Sequence, residues 1–326
     1  MTGTARASET PALPAEDAVI VFRTVKSGVS GRLVRLGAVA ETILRRHALP
    51  ELVSVALGES LVLAGLLGSA LGANGSISIQ TRTDGVVSVL YADCEAPGKL
   101  RGYARFDAET LSVLAESGEK LDPGSILGDG HLAITIDPGE AGDRYQGVVA
   151  MDGGPLAMGA SAYFESRENL PTFVHLAVAQ HYSIEERGQP AVMRWRGGGM
   201  MIQSLGGSPQ DGDFDETGND DNPWLRVRML AATVEDHELL DPSLTPERLL
   251  LRLFHEEGVI IERVVPLSSY CKCSRERVSS VLQSFGRDEL TDMQDANGTV
   301  AVTCEFCAAT YAFALADIAS QSDAQP

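Results

Sequence analysis

Positive charge is in short supply in this chain. Its 326 residues carry 26 Lys and Arg against 45 Asp and Glu, a net charge of −19 at neutral pH. Such a surface repels a phosphate backbone over most of its extent, which counts against nucleic-acid binding. Long apolar runs are also lacking. The longest uncharged, mostly apolar stretch, Ser60 to Thr81, is interrupted by Gly68, Gly72, Asn74 and Gly75, which leaves its helical part too short for a bilayer, so no membrane span is expected. Met1 to Asp17 holds no basic segment followed by an apolar one, and the cytoplasm is the expected compartment. Catalytic fingerprints are missing too. His255-Glu256-Glu257 lacks the second histidine of H-E-x-x-H, and His255 reads as a helix-end residue. Gly28, Gly31 and Gly197-Gly198-Gly199 fit neither a P-loop nor a dinucleotide fingerprint and read as turns. Ser54, Ser60 and Ser161 lie outside any G-x-S-x-G context. No enzymatic activity is expected.

Cysteine is scarce, yet its placement is the most informative feature present. Four of the five cysteines lie in the last 56 residues as two close pairs, Cys271 with Cys273 and Cys304 with Cys307, with 30 residues between the pairs. Each pair brings two thiolates within reach of one ion, and the intervening segment lets the pairs converge on a tetrahedral Zn2+ site. Four protein ligands leave no position for water, so one zinc per chain would hold a fold rather than hydrolyse a substrate. The site would carry a charge of about −2, which Lys272, Arg275 and Arg277 are expected to offset. Three alternatives compete. They are ordinary disulfides in an exported protein or metal-free buried thiols, a zinc-ribbon nucleic-acid or transcription module, and a thiol oxidoreductase using Cys304-x-x-Cys307. The missing leader, the acidic charge and the second cysteine pair respectively weigh against them. Cys94 stands alone beside Asp93 and Glu95, whose charges raise a thiol pKa, and reads as inert packing.

The remaining pattern predicts an α+β fold. Ala18 to Phe22 reads as a strand, and Leu36 to His47 and Leu52 to Leu71 as helices. The second helix is apolar nearly all round, as befits a core, with Glu59 expected to be a paired structural carboxylate. Asp84-Gly85 marks a hairpin between Ser76 to Arg82 and Val86 to Ala92, and Leu132 to Ile136 pairs with Gly147 to Met151. A helix from Leu156 toward Asn169 and a strand from Thr172 to Ala179 follow. Residues 206–223 hold six acidic residues and no basic one, a linker composition. Trp224 to Leu240 reads as one amphipathic helix, and Thr245-Pro246-Glu247 starts another. Ser274 caps a helix, Asn297-Gly298 makes a turn, and Thr299 to Thr303 leads a strand to Cys304, with Tyr311 and Phe313 on its return.

Together these residues resemble the 33 kDa chaperonin family, the heat-shock protein 33 holdases. The resemblance rests on Cys271-x-Cys273-Ser274-Arg275-Glu276-Arg277 with Cys304-x-x-Cys307. Leu57-Gly58-Glu59, Leu100-Arg101-Gly102, Tyr145-Gln146-Gly147, Tyr163-Phe164 with Leu170-Pro171-Thr172, Gly198 to Gln203 and Leu253 to Glu257 support it. It implies a redox-regulated, ATP-independent chaperone with an N-terminal dimerisation and client-binding core at 18–203; the disordered tail expected at 1–17 and the long acidic stretch at 206–223 depart from the family pattern, and 321–326 reads as a tail. An acidic linker with a metastable helical region at 204–257 and a zinc-binding switch domain at 258–320 complete it. It further implies oxidised bonds Cys271–Cys273 and Cys304–Cys307, an active homodimer, and unfolded proteins as partners. Loss of the metal is expected to uncover Trp224, Leu225, Met229 and Leu230.

Overall fold

The computed structural model describes residues 13–117, 121–183, 191–205 and 222–322. The chain opens with β1 (Ala18–Thr24), β2 (Ser30–Leu36), α1 (Ala38–His47) and α2 (Glu51–Gly68), then β3 (Ser76–Thr83), β4 (Val87–Glu95), β5 (Lys99–Phe106) and α3 (Ala108–Glu116). It continues through β6 (Asp129–Asp137), β7 (Tyr145–Asp152), α4 (Leu156–Arg167), β8 (Thr172–Ser183) and β9 (Val192–Gln203). Three helices follow, α5 (Pro223–Ala231), α6 (Asp236–Leu240) and α7 (Pro246–Phe254), then β10 (Val259–Pro266) and β11 (Ser268–Ser269). The last unit holds α8 (Arg275–Leu282), α9 (Arg287–Asp292), β12 (Thr299–Thr303), β13 (Thr310–Ala314) and α10 (Leu315–Ser322).

Among the described residues, a five-stranded antiparallel sheet runs β10-β1-β2-β9-β8, and a six-stranded sheet runs β11-β5-β4-β3-β6-β7 with only β11 parallel to its neighbour. Helix α2 lies between them. Fourteen of its residues are buried, and Leu57, Leu61 and Leu66 share one cluster with Val19 and Val34 of the first sheet and Ile79 and Leu90 of the second. Its length and apolarity would suit a bilayer, but its apolar surface is spent inside the protein. Glu59, on this helix, does not have the expected cationic partner among the described residues. Burial first, then Asp236 and Asp122, pushes its pKa up to about 8.

Strand β1 is apolar on both faces. Val19 and Val21 point to the α2 cluster, while Ile20 and Phe22 join Met200, Ile202 and helices α5 to α7 on the other side. Those helices therefore cover the outer face of the five-stranded sheet through Val227, Ala231, Val234, Leu239, Leu250, Leu253 and Phe254.

Four expectations need correction. Neither Gly31, inside β2, nor Gly197-Gly198-Gly199, the middle of β9, is a turn; a Cβ at Gly199 would lie 2.5 Å from Val62 and one at Gly198 2.8 Å from Leu239. The glycines let α2 and α6 press on both faces of that strand. Trp224 to Leu240 is two helices, because Thr233 to Glu235 breaks the run and Glu235 starts α6 through a capping box with Glu238. The segment from 258, grouped by sequence with the C-terminal domain, instead supplies β10, which pairs with β1 as the edge of the core sheet, with Glu262 bonded to Arg23 at 3.1 Å. Order begins before residue 18. The Asp17 carboxylate accepts the N–H groups of Gly37, Ala38 and Val39 and so caps α1 from afar, while the Leu13 N–H donates to Glu247 at 2.8 Å. The tail at 1–12, linker residues 206–221 and the end at 323–326 lie outside the described residues; Asn222 and Pro223 belong to the start of α5.

Candidate metal centre

The backbone delivers the first cysteine pair straight from the core. Ser268 and Ser269 pair with Lys99 and Leu100 of β5, and the Tyr270 N–H donates to the Leu100 carbonyl at 2.9 Å. After Cys273, Ser274 caps α8 by accepting the Arg277 N–H at 3.2 Å. The second pair sits on the turn between β12 and β13. There the Cys304 N–H donates to the Ala309 carbonyl at 2.9 Å and the Ala308 N–H to the Cys304 carbonyl at 2.8 Å, with Ala308 left-handed at φ 56°. This knuckle turns both sulfurs to one side.

The four sulfurs converge. Cys271 lies 3.2 Å from Cys273 and 3.7 Å from Cys304, and Cys273 lies 3.3 Å from Cys307. All four are half-buried and lie within 4.8 Å of one another, a set that could bind a metal ion. Tyr311 of β13 places its hydroxyl 3.2 Å from Cys273 Sγ. Burial opposes a thiolate at Cys273, but hydrogen bonds from Tyr311 and the neighbouring thiols outweigh it and lower its pKa to about 7. Burial dominates at Cys271 and Cys307, and both are raised. The apolar support is meagre: Leu282, Leu290, Val300, Phe313 and Ile318 form the buried cluster of this unit.

These features fit one family, and the sequence comparison agrees. Residues 17–314 match the family described as Hsp33 protein. The chain belongs to the Hsp33 family. Among Hsp33 relatives, the 33 kDa chaperonin of Caulobacter vibrioides (strain NA1000 / CB15N) is 38% identical over 296 residues, covering 91% of this chain and 94% of the relative. That of Ectopseudomonas mendocina is 37% identical over 292 residues, covering 89% and 90%. The crystal structure of the 33 kDa chaperonin from Thermotoga maritima shares the fold with a TM-score of 0.70 at 21% identity, covering 94% of this chain and 97% of that one.

The centre thus gathers Cys271, Cys273, Cys304 and Cys307, while Cys94 is buried in the core on β4, outside the group, where a Cβ on Gly68 would meet its sulfur at 2.3 Å. Of the three bases expected around the first pair, Arg277 stays at it, while Lys272 and Arg275 turn to other partners. Lys272 pairs with Glu95 of β4 at 2.6 Å, the Arg275 guanidinium lies 4.4 Å from the Phe313 ring centre, and Arg277 donates to the Lys272 carbonyl at 2.9 Å. Two participants escaped the sequence reading: Tyr311, read only as an inward strand residue, and Phe306. An aromatic side chain between two half-exposed cysteines was the available signal for Phe306, since such a ring must find cover on a neighbour.

Proposed function

We propose that the chain is a redox-regulated, ATP-independent holdase chaperone that is inactive while its four C-terminal thiolates hold one Zn2+ and active once they are oxidised. Convergence of four sulfurs, with no histidine or carboxylate in the group among the described residues, carries this reading. A tetrahedron with bonds of about 2.3 Å has sulfur edges of about 3.8 Å, near the spacing found, and sulfur-only donors suit this borderline-soft ion. Bound there, the ion supplies structural free energy, on the order of 10 kcal/mol, to a unit whose apolar core is too small to fold alone.

The chain's own residues do the rest. Cys271, Cys273, Cys304 and Cys307 are the ligands, and oxidation joins Cys271 to Cys273 and Cys304 to Cys307. Each bond forms as two thiols give up two electrons and two protons to a peroxide, which leaves as water. The ligand set then no longer exists and the small unit loses its organiser. Helices α5 to α7, which complete their packing only against the core sheet, lose support next and uncover apolar surface for unfolded clients. Dimerisation of the core in the active form and residence in a reducing compartment such as the cytoplasm belong to the same proposal.

Light scattering of a chemically denatured protein, diluted into the reduced or the peroxide-treated chain, tests it together with colorimetric zinc release. Suppression by the oxidised form alone, with one zinc released per chain, is expected. Equal suppression by both forms, or anaerobically purified protein without metal, overturns it. Peptide mass spectrometry decides the pairing, and a bond between the two motifs contradicts it.

A further inference from the structure

Each cysteine pair encloses residues that reach across to the core. Between Cys304 and Cys307, the Phe306 ring stands edge-on to Tyr91 and Tyr103, with centroids at 5.6 and 5.0 Å. Those two tyrosines stack on each other at 5.5 Å across β4 and β5. The Arg101 guanidinium lies 4.1 Å from the centre of the Phe306 ring and is itself fixed by hydrogen bonds to Asp93 of 2.6 to 3.0 Å. Beside this slot, Arg105 pairs with Glu305 at 2.9 Å, and His47 Nε2 lies 3.2 Å from the Phe306 carbonyl and 3.1 Å from that of Gly102. Between Cys271 and Cys273, Lys272 reaches Glu95 on the same sheet.

We propose that the Tyr91–Tyr103–Arg101 face of the six-stranded sheet is a receptor for the metal knuckle, entered by Phe306 and secured by Lys272 and Glu305. The geometry makes this more than incidental contact. The residues between the sulfurs of each pair project toward the core from a backbone whose course is set by the spacing of those sulfurs. Any change at the sulfurs, whether loss of the ion or a bond within a pair, re-aims Phe306 and Lys272 at once. The core therefore senses the state of the centre through the residues enclosed by its ligands. An aromatic ring in the slot supplies most of the attraction, because two edge-on contacts and a guanidinium over the ring are short-range and partly buried, whereas Arg105 and Glu305 are exposed to solvent.

The regulatory meaning of this receptor rests on the chaperone reading, but its existence does not. The full-length chain carrying Phe306→Ala, reduced and loaded with zinc, is the test, with Tyr103→Leu as a second variant that leaves the knuckle sequence intact. Zinc content is measured first, then amide hydrogen exchange at Tyr270, whose N–H bonds to Leu100, and finally suppression of aggregation. Both variants are expected to keep one zinc per chain, to exchange about tenfold faster at that amide, and to suppress aggregation severalfold better than the reduced wild type. If both keep zinc and match wild type in exchange, the receptor is overturned. If Phe306→Ala sheds its zinc, Tyr103→Leu decides alone, since Tyr103 lies on β5 outside the cysteine motifs and meets the knuckle through the Phe306 ring. Faster exchange without added activity in chains whose oxidised wild type is active refutes the regulatory role. An oxidised wild type that fails to suppress aggregation refutes the chaperone reading and leaves the exchange result to judge the receptor.

Discussion

Tyr311 holds its hydroxyl 3.2 Å from the sulfur of Cys273, whose pKa this contact helps to lower to about 7 against the opposing effect of burial. A phenol donating to a thiolate fixes that ligand's direction and spreads its charge, as outer-shell hydrogen bonds do at metal sites generally. Tyr311→Phe removes the donor and keeps the ring. Metal affinity is expected to fall by roughly tenfold, measured by competition with a chromophoric chelator under reducing conditions. An unchanged affinity means that the hydroxyl is a bystander.

Cys94 should stay out of the redox chemistry. It is buried, and burial, followed by Asp93 and Glu95, pushes its pKa up to about 12. A thiol so rarely ionised reacts slowly with peroxide and alkylating agents. Iodoacetamide at mildly alkaline pH is expected to leave Cys94 unlabelled in the native reduced chain, and Cys94→Ala to leave the oxidation response intact while costing about 1 kcal/mol of stability for the lost packing. Labelling of Cys94 before unfolding would remove the argument.

The parts of the fold that could be read from sequence are those set by local chemistry. The cysteine spacing placed Cys271, Cys273, Cys304 and Cys307 around one point, Ser274 did cap α8, and Asp84-Gly85 did turn a hairpin. What sequence hid is what depends on distant partners. Nothing local says that Gly197 to Gly199 is a strand pressed between two helices, or that Asp17 belongs to the N-terminus of α1. Strand β10 was misassigned because it follows the linker helices in the chain and pairs with residues more than 230 positions earlier, as Arg23 with Glu262 illustrates. The charges near the centre misled for a related reason: proximity in sequence suggested that Lys272 serves the sulfurs, whereas its four-carbon stem carries it to Glu95.

Glu59 makes stability depend on pH in a definite direction. Its ordinary value of 4.5 rises to about 8 in the fold, from burial and then from Asp236 and Asp122, the former also bonded to His175 at 2.7 Å. Between these two values the folded chain binds more protons at this site than the unfolded one, so stability declines as pH rises through the window and levels off above it. Glu59→Gln, which keeps the shape without the charge, should flatten that decline and stabilise the chain at pH 8 by on the order of 2 kcal/mol. Urea titrations at several pH values read this out. Parallel curves for variant and wild type would show that the carboxyl keeps its proton balance in both states.

The surface that oxidation uncovers must be hidden beforehand, which shifts attention within the linker helices. Leu225 and Met229 were expected to emerge, yet they are already 41% and 64% exposed, while Val227, Leu253 and Phe254 are buried against the five-stranded sheet. Phe254 faces Phe22 with ring centroids 5.7 Å apart, so this pair ties α7 to β1. Phe254→Ala deletes the tie at a cost of about 3 to 5 kcal/mol, set against helices whose apolar contacts are all on one side. Partial release of α5 to α7 is expected with zinc still bound, seen as stronger binding of an apolar fluorescent dye and measurable suppression of aggregation by the reduced chain. Leu253→Ala, with a smaller loss, guards against simple failure to fold. If both variants bind dye and suppress aggregation no better than wild type, the covered face of α5 to α7 is not the surface that clients meet.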